Sequence, residues 1–138
     1  VGLFAEESAG LANAGTAHAM PPLGIMVEVP SVAIAPELFA KVAFFSIGSN
    51  DLTQYVMAAA RDNTSVAALN SVTNPAVMRL IASIAEFGRL HDIAVSLCGD
   101  AGGDPDAIPH LLRAGLRDLS VAPAQLALAK AAIAGVVV

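Results

Sequence analysis

The stretch that most constrains this chain is Phe44 to Arg61, FFSIGSNDLTQYVMAAAR, where a short apolar run stops at Gly48 and presents Ser49, Asn50 and Asp51. A buried strand that halts at a glycine and then offers an amide and a carboxylate delivers polar groups to a fixed point, as the carboxyl-end rim of an α/β sheet does. Leu52 to Ala60 reads as a helix with Thr53 and Gln54 in its first turn, closed by Arg61. A carboxylate near one end and a guanidinium near the other match a magnesium ion and an anion such as phosphate, provided both ends fold over one pocket.

The same strand-then-helix grammar recurs along the chain. Residues 3 to 15 read as a helix ended by Gly15, and Pro21-Pro22 marks the connection that follows. Gly24 to Pro30 reads as a near-continuous apolar strand carrying one charge, Glu28, followed by an Ala-rich helix over Val32 to Ala40 that Pro36 interrupts. Pro75 opens a long helix to about Leu90, with Val77, Leu80, Ile81, Ile84 and Phe87 or Gly88 at helical spacing. Ile93 to Leu97 is the third strand, ending at Cys98-Gly99-Asp100, and Asp106 to Ala114 the helix after it. Leu119 to Val121 is a short fourth strand, and Pro123 to Ile133 the closing helix. Crossovers of about twenty residues suit parallel neighbours better than hairpins. Four such units of about thirty residues predict an α/β fold that is half of an eight-stranded barrel, with a small open doubly wound sheet as the alternative. Residues 1–23 are then a leading helix and linker, and residues 24–138 the half-barrel.

Composition bears on what surrounds the fold. Of 138 residues, 56% are hydrophobic and only 14% charged, more apolar surface than a chain this small buries easily. Alanine accounts for part of that excess, and an uncovered inner barrel face for the rest. With 7 basic residues against 12 acidic, a net charge of −5 and no basic run, nucleic acid is excluded as a partner class. No apolar run approaches the roughly 18 residues of a membrane span, and Glu6 and Glu7 stand where a signal peptide would be basic. Cys98 is the single cysteine, which fits a reducing, cytoplasmic setting.

Glu28, Asn50, Asp51 and Cys98 all fall at or just beyond strand ends, so the chemistry gathers on one rim. Glu28 near the end of a buried strand is costly unless paired, protonated or metal-bound, and reads equally as a structural ion-pair member. Two carboxylates suit a hard cation, magnesium first, that can screen a transferring phosphoryl group and stabilise an enolate oxygen. Arg61 reads as a phosphate ligand or as the partner of Asp62 or another acid. Asn50 reads as a donor to phosphate or as the cap of the succeeding helix. Cys98 reads as a small buried hydrophobe or as a proton donor to carbon, since an ordinary thiol is protonated near neutral pH. Asp100 and Asp104 are candidates for orienting the cysteine loop or simply turn formers, and the three histidines lack ligand spacing.

The segments GIMVEVPS, FFSIGSNDLTQY, AAARDN, NPAV and SLCGDAGGDPDAIPHLLRAGLRDLSVAPA closely resemble the carboxyl-terminal part of phosphoenolpyruvate-utilising enzymes, above all Enzyme I of the sugar phosphotransferase system. The resemblance covers nearly all of the chain from Gly24 to about Ile133. It implies a (β/α)8 barrel of which this chain supplies the last four strands. Glu28 and Asp51 then look like magnesium ligands, Asn50 and Arg61 like contacts to the substrate phosphate, and Cys98 like the thiol that protonates the enolate. Family chemistry sends the phosphoryl group of phosphoenolpyruvate to a histidine on a separate domain, releases pyruvate, and in Enzyme I passes the group to a small phosphocarrier protein.

Departures from the pattern bear on subfamily. Ser49 replaces the usual threonine, Asp100 and Gly102 stand where Enzyme I commonly has Glu and Ala, and no acid precedes Arg61. Gly102-Gly103-Asp104 is similar to pyruvate phosphate dikinase, whereas Tyr55 and the AIPHLL segment favour Enzyme I. Further substrate-binding arginines of the family lie on earlier barrel strands, and its phosphohistidine on another domain. The isolated chain is therefore expected to be inactive or a weak binder. A homodimer in which two copies cover each other's inner face is a further expectation, and a non-catalytic dimerisation module the reading from a different class.

Overall fold

The computed structural model describes residues 2–137, so Val1 and Val138, the outer ends of the two predicted segments, fall outside it. Helix α1 (Gly2–Asn13) buries none of its residues and leaves Leu3, Phe4 and Leu11 exposed. Gly15 ends it in the left-handed region, and an extended linker runs to the sheet.

Four strands form one sheet in the order β1 (Ile25–Val27), β2 (Phe44–Gly48), β3 (Ala94–Cys98), β4 (Asp118–Leu119), every neighbour parallel. Strand order follows chain order, which is how successive right-handed crossovers lay out a section of a barrel wall. Helices alternate with the strands: α2 (Pro30–Ile34), α3 (Ser49–Met57), α4 (Pro75–His91), α5 (Ile108–Arg113) and α6 (Leu126–Ala134). The predicted α/β class and parallel arrangement are thus present, in a form consistent with part of such a wall.

Some boundaries differ from the sequence expectation, each for a local reason. β1 stops at Val27, because Pro30 already occupies the first turn of α2 and the chain must turn over Glu28 and Val29. The predicted Val32–Ala40 helix is two pieces, α2 and a 3-10 turn at Pro36–Phe39, since Pro36 cannot donate its missing N–H. α3 begins at Ser49 rather than Leu52, with Gly48 as its N-cap, so Asn50 and Asp51 lie inside its first turn.

The core lies on one face of the sheet. Val27, Phe45, Ile47 and Leu97 are fully buried there, packed with Leu52 of α3 and with Val77, Ile81 and Ile84 of α4. Those three α4 residues belong to the predicted helical stripe, whose Leu80 and Phe87 are partly buried against the same core, and Asn74 caps the helix by accepting from the Ala76 N–H at 2.9 Å. At about 1.5–3 kcal/mol for each large side chain fully buried, this layer dominates stability. A second small cluster of Ile108, Leu112 and Ala129 joins α5 to α6. The opposite face, bearing Met26, Phe44, Ser46, Ser96 and Cys98, has no covering layer among the described residues; Met26 is 46% and Phe44 37% exposed. That face is mixed rather than uniformly apolar, which corrects the weight that the composition argument puts on it.

Candidate functional site

Because all four strands are parallel, their carboxyl ends share one rim. Gly48 is paired with Cys98 and Ile47 with Val27, so Glu28, Gly48 and Cys98 stand at one level across three strands. Glu28 is half-buried beside Gly48. A β-carbon on Gly48 would lie 3.1 Å from Glu28 Oε2 and 3.2 Å from Met26 Sδ, so glycine is what lets that carboxylate lie against β2. Neither ion pair among the described residues involves Glu28.

Cys98 points to the uncovered face. Its thiol donates toward Ile47 O at 3.5 Å and Met26 Sδ at 3.6 Å and accepts from Ser46 Oγ at 3.7 Å. The single thiol proton has these two acceptors within reach and can serve one of them at a time. Ser49 Oγ donates to Cys98 O at 2.7 Å and fastens the start of α3 to the end of β3.

Asn50 does not cap α3. Its Nδ2 donates to Asp100 Oδ2 at 3.1 Å, and its Oδ1 accepts from the Asp100 backbone N–H at 3.2 Å. The capping alternative is thereby replaced by a tie across the rim. Gly99 makes the tie possible at φ +99, where a side chain would strike Ser49 Oγ and come within 3.0 Å of Asn50 Oδ1.

Arg61 returns to the same rim because Ala58 ends α3 in the left-handed conformation, φ 50, and reverses the chain. The Arg61 guanidinium then donates to Asp51 Oδ1 at 3.1 Å, and its backbone N–H to Gln54 Oε1 at 3.2 Å. Of the acids open to Arg61 as an ion-pair partner, Asp62 or another, the structure selects Asp51. Both side chains are well exposed, which limits such a pair to about 0–1 kcal/mol. Ser49, Asn50, Thr53, Arg61, Asp100 and Asp104 contribute to the wall of an open cavity of about 620 Å³.

Among the described residues no group of three or more His, Cys, Asp or Glu side chains is arranged to hold a metal. Magnesium does not need one, since it commonly takes one or two carboxylates and fills its octahedron with water and ligand oxygens. The histidines stay outside the rim chemistry: His18 bonds to Ser8 Oγ and Thr16 O, and His91 stacks on Phe87 at 4.1 Å.

A family model described as the PEP-binding domain of PEP-utilising enzymes matches residues 2–138. The chain belongs to this family. Among relatives, a phosphoenolpyruvate-protein phosphotransferase of Haloferax volcanii is 42% identical over 132 residues, which is 95% of this chain and 23% of that protein. The namesake of Staphylococcus carnosus is 46% identical over 121 residues, 86% of this chain and 21% of its own length. A multiphosphoryl transfer protein of Xanthomonas campestris is 44% identical over 115 residues, 83% of this chain and 14% of its own. The resemblance to Enzyme I carried by the rim motifs is borne out by these relatives, and the chain spans a quarter or less of their length. No helix among the described residues is long and apolar enough to cross a membrane.

Proposed function

We propose that this chain is the carboxyl-terminal half of the phosphoenolpyruvate-binding barrel of a cytoplasmic, magnesium-dependent phosphoenolpyruvate-protein phosphotransferase. The observation that supports the reading is the placement of Glu28, Asn50, Asp51 and Cys98 at or just beyond parallel strand ends, with Arg61 paired to Asp51, in a chain of this family. Glu28 and Asp51 would hold the magnesium ion, which when bound screens the phosphoryl charge and stabilises the enolate oxygen. Asp51 accepts from Arg61 in the free chain, and the two divide their roles once ligand arrives, carboxylate to cation and guanidinium to phosphate.

Asn50 adds an N–H to the phosphate oxygens. The P–O bond breaks toward a histidine of a separate domain, and the enolate left behind takes the Cys98 proton at its methylene carbon to give pyruvate. The thiolate recovers its proton from water. In the parent system that histidine would hand the phosphoryl group to a phosphocarrier protein. The uncovered face of Met26, Phe44 and Ser46 is the inner wall of the barrel in this reading, covered by its other half or by a second copy in a homodimer. Without that half the chain is at best a weak binder and does not turn over.

Titration with magnesium and phosphoenolpyruvate tests the site. Saturable binding lost in Glu28→Ala and in Asp51→Ala is the expected result, and no binding at millimolar ligand would overturn it in favour of a non-catalytic dimerisation module. Exchange between phosphoenolpyruvate and pyruvate catalysed by the isolated chain would refute the predicted inactivity. A parent of the dikinase or phosphoenolpyruvate synthase type is the second reading, favoured by Gly102-Gly103-Asp104. Flanking coding sequence for a nucleotide-binding domain would select it.

A further inference from the structure

We infer that Asp100 is the positioning residue that fixes the Asn50 amide with a single N–H turned to the rim cavity, making Asn50 an obligate donor to an anionic oxygen. The orientation follows from chemistry at both ends. A backbone N–H can only donate and an ionised carboxylate can only accept, so the Asp100 N–H must meet Asn50 Oδ1 and the Asp100 carboxylate must meet Nδ2. The reversed amide would set donor against donor and acceptor against acceptor.

One Nδ2 proton is taken by Asp100. Among the described residues the other has no protein acceptor, and Asn50 lines the cavity that Arg61 also lines. A donor and a guanidinium thus line the same cavity, the pair of groups that an anionic oxygen uses. Bonding to a charged acceptor also polarises the amide and strengthens the N–H that remains. Asp100 itself is held in place by its neighbours: Ser49 Oγ is tied to Cys98 O at 2.7 Å, and Gly99 at φ +99 aims the next backbone N–H back at α3. Two positions on one helix therefore grip the last residue of β3 and Asp100 just after it. The grip joins the proposed proton donor Cys98 to the proposed phosphate contact Asn50.

This inference rests on the phosphoenolpyruvate reading for the identity of the anion but not for the amide geometry, and the test separates the two. Nuclear magnetic resonance of the 15N-labelled chain reads the Asn50 side-chain protons directly and detects millimolar binding. In the wild type one Asn50 Nδ2 proton is expected well downfield of its geminal partner. In Asp100→Ala that separation shrinks to the ordinary one of a solvated asparagine amide, and in Asp100→Glu it is retained, with the rest of the spectrum dispersed as in the wild type.

Addition of phosphoenolpyruvate with magnesium should shift the remaining proton, with affinity falling at least fivefold in Asp100→Ala and less than twofold in Asp100→Glu. An Asn50 signal unchanged in Asp100→Ala overturns the inference even if the wild type binds phosphoenolpyruvate. A separation reduced in Asp100→Ala with no wild-type binding overturns both the donor role and the phosphoenolpyruvate reading. Should Asp100→Ala lose dispersion, Asp100→Asn serves in its place: it keeps an acceptor but no charge, and an unaltered proton separation in it overturns the charged-acceptor argument.

Discussion

Replacing Gly99 by alanine should destabilise the chain through two separable routes. Gly99 sits at φ +99 and ψ −177, a region essentially restricted to glycine, and forcing another residue there costs about 1–3 kcal/mol. The added β-carbon would also meet Ser49 Oγ, displacing the hydroxyl from Cys98 O; one lost hydrogen bond adds about 1 kcal/mol. The sum is about 2–4 kcal/mol. With a urea m-value of about 2 kcal/mol per molar, the unfolding midpoint should fall by about 1–2 M.

Gly10→Ala is the control, because nothing lies within 4 Å of its added carbon and its φ is not positive. In the double variant Gly99→Ala with Ser49→Ala, the loss beyond that of Ser49→Ala alone should shrink toward the backbone part. A Gly99→Ala midpoint within about 0.25 M of wild type, less than about 0.5 kcal/mol, would show that this loop is not held against α3 and would remove the basis of the rim geometry.

Gly48→Ala leaves the backbone unstrained at φ −81 but crowds Glu28 Oε2 at 3.1 Å, so magnesium affinity should fall several-fold by calorimetry with little loss of stability. Ala58→Gly should raise the unfolding midpoint, since relief of the left-handed penalty of about 1–2 kcal/mol exceeds the entropic cost of a glycine, about 0.5–1 kcal/mol. Ile81→Ala empties a fully buried position of α4 and should cost about 2–5 kcal/mol in chemical denaturation. The Arg89 guanidinium, bonded to Glu86 at 2.6 Å and 2.8 Å, holds the Glu86 carboxyl below the ordinary glutamate value. Its stabilising effect is therefore present above the unfolded-state value and lost as pH falls through the lower folded one. A carboxyl titration should show this midpoint returning to normal in Arg89→Ala.

What the sequence made legible was what repeats locally. FFSIG alternates, with Phe45 and Ile47 buried and Phe44 and Ser46 on the other face, so β2 and its rim were readable from period alone. The α4 stripe and its Asn74-Pro75 start were readable for the same reason. Less legible was anything set by a partner distant along the chain. Asn50 looks like a helix cap until Gly48 takes that place and Asp100 arrives from β3. The Asp51–Arg61 pair depends on Ala58 adopting a conformation that alanine seldom takes, and no residue type announces it. β4 has two residues, too short for any periodicity, and depends on its bonds to Ser96 and Leu97. The one available clue to the rim tie was Gly99 between a candidate acid and a candidate thiol.

The level alignment of Glu28, Gly48 and Cys98 has a consequence for folding fidelity. Sliding β2 by one residue against its neighbours would bring Ser46 and Gly48 to the core and expel Phe45 and Ile47. Each such misalignment forfeits two fully buried side chains, so a chain with a misassembled rim is also a chain without a core. Hydrophobic packing on one side of the sheet thereby proofreads the placement of reactive groups on the other, and molecules that fold at all carry those groups in their working order.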